Sequence, residues 1–324
     1  MFSSYLTSII ISFFQTLLTT VLSPLFFVAS VVSQIAYYFT TKEEEHHTVL
    51  ITGATSGIGE GLARKYSKNC SKLILIGRNN EKLSSLKSEL SSEQCSVCVH
   101  SVDITDKEKM RSIISQYKDI DLVIANAGIS STLLQFDETP SILEQTTERI
   151  FETNVNGTFN TLFPAIDNMK LQKHGQICIV ASIAGLGGDG INTCYAASKC
   201  ALTSYAEGLR SILEPYNIKV NIVTPSPVAT RMINSNGSSD PLTLTVDQCV
   251  NYIYNGIRDD MLYIYCNPIF FILLTLIYKV MPVTLKRVYL QFQTYLRHIH
   301  VDGCEYYEPQ DVKMKSYTKS TKSE

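Results

Sequence analysis

The 324-residue sequence has no surplus of charge of either sign: 28 Lys and Arg stand against 30 Asp and Glu, and 18% of residues are charged. That balance excludes a nucleic-acid binder, whose phosphate partner demands a basic excess. Nor does the chain have the polarity of a disordered segment, since 45% of it is hydrophobic and its mean hydropathy is +0.06. Collagen, mucin and coiled-coil patterns are missing, as are internal repeats and low-complexity linkers. A regular cysteine framework is missing too. Nine Cys at irregular spacing, in a chain long enough to bury a large core, exclude a secreted disulfide scaffold and read as small buried hydrophobes.

The sharpest absence is local. From Met1 to Thr41 there is no Asp, Glu, Lys, Arg or His, and then Lys42, Glu43, Glu44, Glu45, His46 and His47 arrive together. Such an edge predicts a membrane anchor over residues 1–41. A helix from Ile9 to Phe39 would run about 46 Å against a hydrocarbon core of about 30 Å. Pro24, preceded by Ser23 as an N-cap, divides it into a kinked span or a re-entrant hairpin. No basic n-region marks a cleaved signal peptide.

Beyond the anchor the hydrophobic period alternates. Apolar strands are expected at Thr48–Thr52, Lys72–Gly77, Val97–Val102, Leu122–Ala125, Gln176–Ala181 and Lys219–Thr224, with helical windows between them, the first from Ile58 to Lys68. Continuous apolar strands separated by amphipathic helices imply an α/β fold, a Rossmann-like doubly wound parallel sheet covered on both faces, over residues 48–260. Residues 261–300 form an apolar and basic C-terminal segment, and residues 301–324 a Lys-, Ser- and Thr-rich tail. Within the former, Met261 to Tyr278 is uncharged and aromatic and is broken by Pro268, which suits a segment lining a pocket mouth or lying in a membrane interface. Cys95 and Cys98 lack a second ligand pair and read as structural.

The first strand ends in Thr52-Gly53-Ala54-Thr55-Ser56-Gly57-Ile58-Gly59, where a helix must begin. Glycines there permit a tight turn and close approach of a pyrophosphate to the helix N-terminus. Asn126-Ala127-Gly128 follows the fourth strand, Asn154 precedes Gly157 on a helix, Ser182 closes the fifth strand, and Tyr195 and Lys199 follow it by 13 and 17 residues. Tyr-x-x-x-Lys alone says little, because Tyr38 and Lys42 make the same pattern by accident. The ordered set, from about residue 48 to 232, resembles the short-chain dehydrogenase/reductase family.

A spacing of four places Tyr195 and Lys199 on one helix face, where the ammonium is expected to lower the phenol pKa and make Tyr195 a general acid or base. Ser182 is expected to hydrogen-bond the substrate oxygen. The resemblance implies that Asn154 holds a water linking Lys199 to solvent, and that Lys199 binds the nicotinamide ribose. It also implies that Thr52, Gly53, Ser56, Gly57, Ile58 and Gly59 cradle the dinucleotide, that Asp103 meets the adenine, that Asn126 meets the cofactor backbone and that Thr230 meets the nicotinamide amide. Arg78, at the end of the second strand where an acidic residue would favour NAD, points to NADP(H). Ser226 stands where the family carries glycine, and strain is expected if that position needs φ > 0.

The resulting expectation is a membrane-anchored, NADPH-dependent oxidoreductase that reduces a lipid-like carbonyl of 3-ketosphinganine, 3-oxoacyl or steroid type. Its partners would be a lipid-like small molecule and a membrane, with no nucleic acid and with a homodimer left open. Lipid-directed relatives imply the endoplasmic reticulum, with the domain facing the cytosol. The competing expectation is a catalytically idle member serving as a scaffold or cofactor sensor.

Overall fold

A computed structural model describes residues 46–130, 140–189, 192–230, 232 and 243–268, with scattered helical residues between 271 and 292. The anchor expected over residues 1–41 and the tail over 301–324 lie outside the described residues. Among the described residues no helix is long and apolar enough to cross a membrane.

Seven parallel strands form one sheet: β1 (Thr48–Thr52), β2 (Lys72–Gly77), β3 (Ser96–Ser101), β4 (Leu122–Ala125), β5 (Gly175–Val180), β6 (Ile218–Pro225) and β7 (Tyr263–Cys266), in the order β3-β2-β1-β4-β5-β6-β7. Alternate residues of each strand enter different cores. Val49 and Ile51 of β1 pack with Leu62 and Cys249 on one side, while Leu50 packs on the other with Met110, Leu162 and Leu202. The first side is covered by α1 (Gly57–Tyr66), α2 (Asn80–Leu90) and α7 (Val246–Arg258), and the second by α3 (Lys107–Ile114), α5 (Gly157–Gln172) and α6 (Thr193–Leu213). Helix α4 (Pro140–Phe151) packs on α6. Burial of both faces explains why the strands read as unbroken apolar runs.

Polar caps fix where the helices begin. Asn79 accepts from the Lys82 N–H at 2.8 Å, Asp106 from that of Lys109 at 3.1 Å, and Thr245 forms a reciprocal capping box with Gln248. Cys95 lies 3.7 Å, sulfur to sulfur, from buried Cys70, in keeping with a packing role.

Strand β7 corrects the domain boundary expected at residue 260, and with it the first residues of the run from Met261 to Tyr278. Its residues pair with β6, from Ile222 opposite Tyr263 to Pro225 opposite Cys266, so the sheet continues past residue 260. Ile264 and Cys266 enter the core, whereas Tyr263 and Tyr265 are part-exposed and stack at 5.6 Å on the other face. That alternation is hidden in sequence because every residue of Tyr-Ile-Tyr-Cys is apolar or aromatic.

The connections from β1 run outward through β2 to β3, and those from β4 run the opposite way to β7. The chain therefore leaves a crevice beyond the carboxyl ends of β1 and β4, at the topological switch point.

Candidate active site

The crevice begins with the turn after β1. Gly53 and Gly57 have φ of +66° and +53°, a region costly for other residues. A Cβ on Gly59 would fall 2.2 Å from the carbonyl oxygen of Gly53, and one on Gly53 would fall 2.9 Å from the Ala127 Cα. The loops after β1 and β4 are stitched together there. Thr52 Oγ1 accepts from the N–H groups of Asn126 (3.1 Å) and Ala127 (3.2 Å), and Asn126 Nδ2 donates to the Thr52 carbonyl at 3.0 Å. Thr52 and Asn126 thus hold the two loops in place, and the side chain of Ile58 packs on the core.

Ser56 precedes α1 in extended conformation, and its exposed hydroxyl makes no capping hydrogen bond. The first N–H groups of α1 therefore have no side-chain cap from Ser56, and their positive end opens onto a cleft of about 200 Å³ lined by Thr55, Ser56, Gly57, Glu60, Asn79 and Lys82. A cradle that no Cβ can enter, set against a helix N-terminus, fits the pyrophosphate of a dinucleotide. Thr230 closes the other side of this turn, since a Cβ on Gly57 would sit 3.0 Å from its methyl group.

Arg78, which precedes the cleft residue Asn79, is exposed, with Nη1 3.6 Å from Asp103 Oδ2. Asp103 Oδ1 is already engaged by the N–H and hydroxyl of Thr105, both at 3.0 Å. A second cation escaped the sequence reading: Lys82 Nζ lies 2.9 Å from Glu60 Oε1. Burial alone would raise the Glu60 carboxyl, but hydrogen bonds from Arg64 and Lys82 outweigh it and hold the pKa below the ordinary range. Lys82 was detectable as a first-turn residue of α2, once Asn79 is recognised as its N-cap.

The remaining residues gather around α6. Ser182 opens the 3₁₀ turn Ile183–Leu186, accepts from the Ala184 N–H at 3.2 Å and hydrogen-bonds the Tyr195 side chain. Lys199 is 4% exposed; its Nζ donates to the Val180 carbonyl at 2.8 Å and lies 5.7 Å from the centre of the Tyr195 ring. Gly128 leaves the approach open: a Cβ there would sit 3.1 Å from Asn154 Oδ1 and 3.4 Å from Lys199 Nζ. Asn154, Ser182, Tyr195 and Lys199 therefore share one neighbourhood.

Two expectations change on contact with the geometry, those for Tyr195 and Ser226, and Asn154 gains a further role. Burial pushes the Tyr195 phenol upward, with only Ser182 opposing it, and pulls Lys199 down to about 8. Desolvation outweighs the expected ammonium effect because Nζ is turned toward Val180. Asn154 lies on a π-turn (Glu152–Asn156) and is fully buried; its Nδ2 donates to the Ile129 carbonyl (2.9 Å) and Ser198 Oγ (3.0 Å), and its Oδ1 accepts from the Ile129 N–H (2.8 Å). Both amide hydrogens are spent on protein groups, so the side chain acts first as a brace between the β4 loop and α6. Ser226 is not among the residues with positive φ. Its N–H extends the β6 ladder to the Cys266 carbonyl at 3.3 Å, so the backbone stays extended and the expected strain is absent.

Comparison with known proteins bears on this arrangement. The sequence pattern of the family described as short chain dehydrogenase matches residues 47–240. An uncharacterised oxidoreductase of Staphylococcus aureus strain MW2 is 33% identical over 199 residues, covering 59% of this chain and 82% of that protein. The 3-oxoacyl-(acyl-carrier-protein) reductase of Rickettsia prowazekii is also 33% identical, over 57% of this chain and 74% of its own length. Among solved structures, a short-chain dehydrogenase from Sphingobium yanoikuyae in complex with NADPH superposes with a TM-score of 0.62 at 21% identity, covering 83% of this chain and all of that one. One from Mycobacterium paratuberculosis bound to NAD gives 0.59 at 20% identity, over 68% and 95%. At these identities the superpositions show a shared fold.

Proposed function

The chain belongs to the short-chain dehydrogenase family, as an oxidoreductase with a single Rossmann-like domain, and within that family we propose that it is an NADPH-dependent reductase of a lipid-like ketone or aldehyde. The observation that carries the reading is the buried cluster of Ser182, Tyr195 and Lys199 beside an open glycine cradle. A scaffold or cofactor sensor has no chemical need to bury an ammonium beside a phenol.

The dinucleotide, when bound, supplies the hydride. Ser182 holds the substrate oxygen and steadies the charge that develops on it, and Tyr195 Oη delivers the proton. A phenol whose pKa is raised by burial keeps its proton at neutral pH, which suits the reductive direction. Lys199, held at Val180, would bind the nicotinamide ribose. Asn154 positions the Ile129 backbone and, through Ser198, the start of the catalytic helix turn.

The preference for NADPH rests on Arg78, whose guanidinium is exposed and can turn from Asp103 to a 2′-phosphate. The lipid-like substrate is supported by apolar surface near the mouth. Gly188, in the loop after Ser182, faces Leu290, and helical Leu285, Val288 and Phe292 nearby in sequence are all more than half exposed. The name of the Rickettsia relative, a reductase of 3-oxoacyl groups, points the same way.

The experiment is NADPH oxidation by purified protein with long-chain 3-oxoacyl thioesters, 3-ketosphinganine and steroid ketones, alongside short ketones. Faster turnover of a long-chain substrate supports the proposal. Indifference to chain length would remove its lipid part, and no turnover with nucleotide bound would favour the sensor.

A further inference from the structure

Leu285, Val288 and Phe292 are helical residues near the carboxyl end of the chain, and each is more than half exposed. Spacings of three and four put them on one side of a helix. Leu290, half a turn away from that side, is half-buried, and a Cβ on Gly188 in the loop after Ser182 would sit 4.0 Å from its methyl groups. The helix therefore meets the rim of the active site with one side and shows an apolar stripe with the other. A helix that faced only water would carry polar residues there.

Charge says what the stripe faces. From Met261 to Val301 the sequence has no Asp or Glu, although the chain carries 30, and Lys279, Lys286, Arg287 and Arg297 stand in that stretch. Leu171 on α5 and Ile212 on α6 are exposed apolar residues too, but on helices that carry Asp167 and Glu207. An apolar stripe in a segment stripped of acids and supplied with cations complements a bilayer with anionic headgroups. A second copy of this chain, meeting it through the same face, would bring the same cations and be repelled.

We propose that the helix bearing Leu285, Val288 and Phe292 docks in the plane of an anionic bilayer surface, and so holds the loop after Ser182 against the membrane. A lipid-like carbonyl then reaches the site without crossing water. Docking needs neither nucleotide nor substrate, so it stands or falls apart from the reductase reading.

The chain has no Trp, so Val288→Trp in the full-length protein places a single indole on the stripe. Vesicles of chain-brominated phosphatidylcholine mixed with phosphatidylserine should shift its emission to the blue and quench it at least about twofold. Brominated phosphatidylcholine alone should quench it less, added salt should weaken the anionic preference, and Leu171→Trp should stay unquenched. Phe292→Trp repeats the reading from a second exposed position. Equal quenching of the Leu171→Trp and Val288→Trp proteins would refute the assignment to this helix. An indole at 288 that is already blue-shifted without vesicles would show the stripe covered by this chain or a second copy, and would end the proposal. So would protein that sediments with vesicles while the Val288→Trp and Phe292→Trp emissions stay unquenched, since its membrane contact would then lie elsewhere, as in the uncharged residues 1–41.

Discussion

Lys199 donates from Nζ to the carbonyl oxygen of Val180, 2.8 Å away, from a position almost sealed from solvent. One neutral carbonyl does not replace the hydration of an ammonium, and burial lowers its pKa from 10.5 to about 8. The folded state bears the full desolvation cost below pH 8, where both folded and unfolded chains hold the proton. Between about 8 and 10.5 only the unfolded chain holds it, so this group makes stability rise with pH across that window.

Lys199→Met should therefore melt higher than the parent near neutral pH in the absence of nucleotide. The gain has an upper bound of about 3 kcal/mol and should fade as pH approaches that of a free lysine. Thermal denaturation of both proteins across this range checks it. A constant difference between the two curves would show that the ammonium is not desolvated in the folded chain.

Removing the Tyr195 hydroxyl should separate chemistry from binding. Tyr195→Phe keeps the ring on α6, so NADPH affinity should stay within about twofold, whereas turnover should fall at least about a hundredfold for want of the proton donor. Ser182→Ala should act on the pKa as well as the rate. Ser182 is the group that opposes the upward push of burial on Tyr195, so without it the phenol titrates higher still. The alkaline rise in the rate of alcohol oxidation, which needs the phenolate, should move to higher pH in that variant. An unmoved profile would remove Tyr195 from the proton path.

The residues just discussed were legible in sequence because their spacings are properties of regular structure. A gap of four on a helix, or a glycine-rich turn between strand and helix, survives whatever else the chain does. Strand β7 was not legible, since Tyr263 to Cys266 sits inside a longer apolar run and its alternation has no polar phase to reveal it. The balance of forces at Tyr195 was hidden for another reason: whether an ammonium or desolvation wins depends on where Nζ points, and Val180 lies on a different element. The bracing role of Asn154 likewise depends on Ile129 and Ser198, 25 and 44 residues away. Lys82 was missed because its distance to Glu60 is set by the packing of α2 against α1.

Arg78 should decide between nucleotides. In the parent its guanidinium is 3.6 Å from Asp103, a long and exposed pair that yields readily to a phosphate dianion. NADPH should bind about ten- to a hundredfold more tightly than NADH, the range of a charge-assisted contact, and Arg78→Ala should erase most of that margin. If Lys82 supplies the phosphate contact instead, Arg78→Ala will leave the margin intact and Lys82→Ala will remove it. Fluorescence titrations of the three proteins with both nucleotides distinguish the cases.

Two glycines on the catalytic side of the sequence make opposite predictions for the same substitution. In α1, a methyl group on Gly59 would meet the Gly53 carbonyl at 2.2 Å and Asn126 Nδ2 at 2.6 Å, so either the glycine turn or its stitch to the β4 loop must shift. Gly208 lies inside α6 with nothing within 4 Å of a built Cβ. Gly208→Ala should then stabilise the protein by about 0.5–1 kcal/mol, the ordinary helix preference, without touching nucleotide affinity. Gly59→Ala should cost about 1–3 kcal/mol as an overpacked contact, and the nucleotide-induced rise in melting temperature should shrink because the moved backbone is the cradle itself. Melts of the two variants with and without NADPH read both effects. A Gly59→Ala protein that kept the parent's full NADPH-induced shift would show that the turn after β1 is not where the dinucleotide rests.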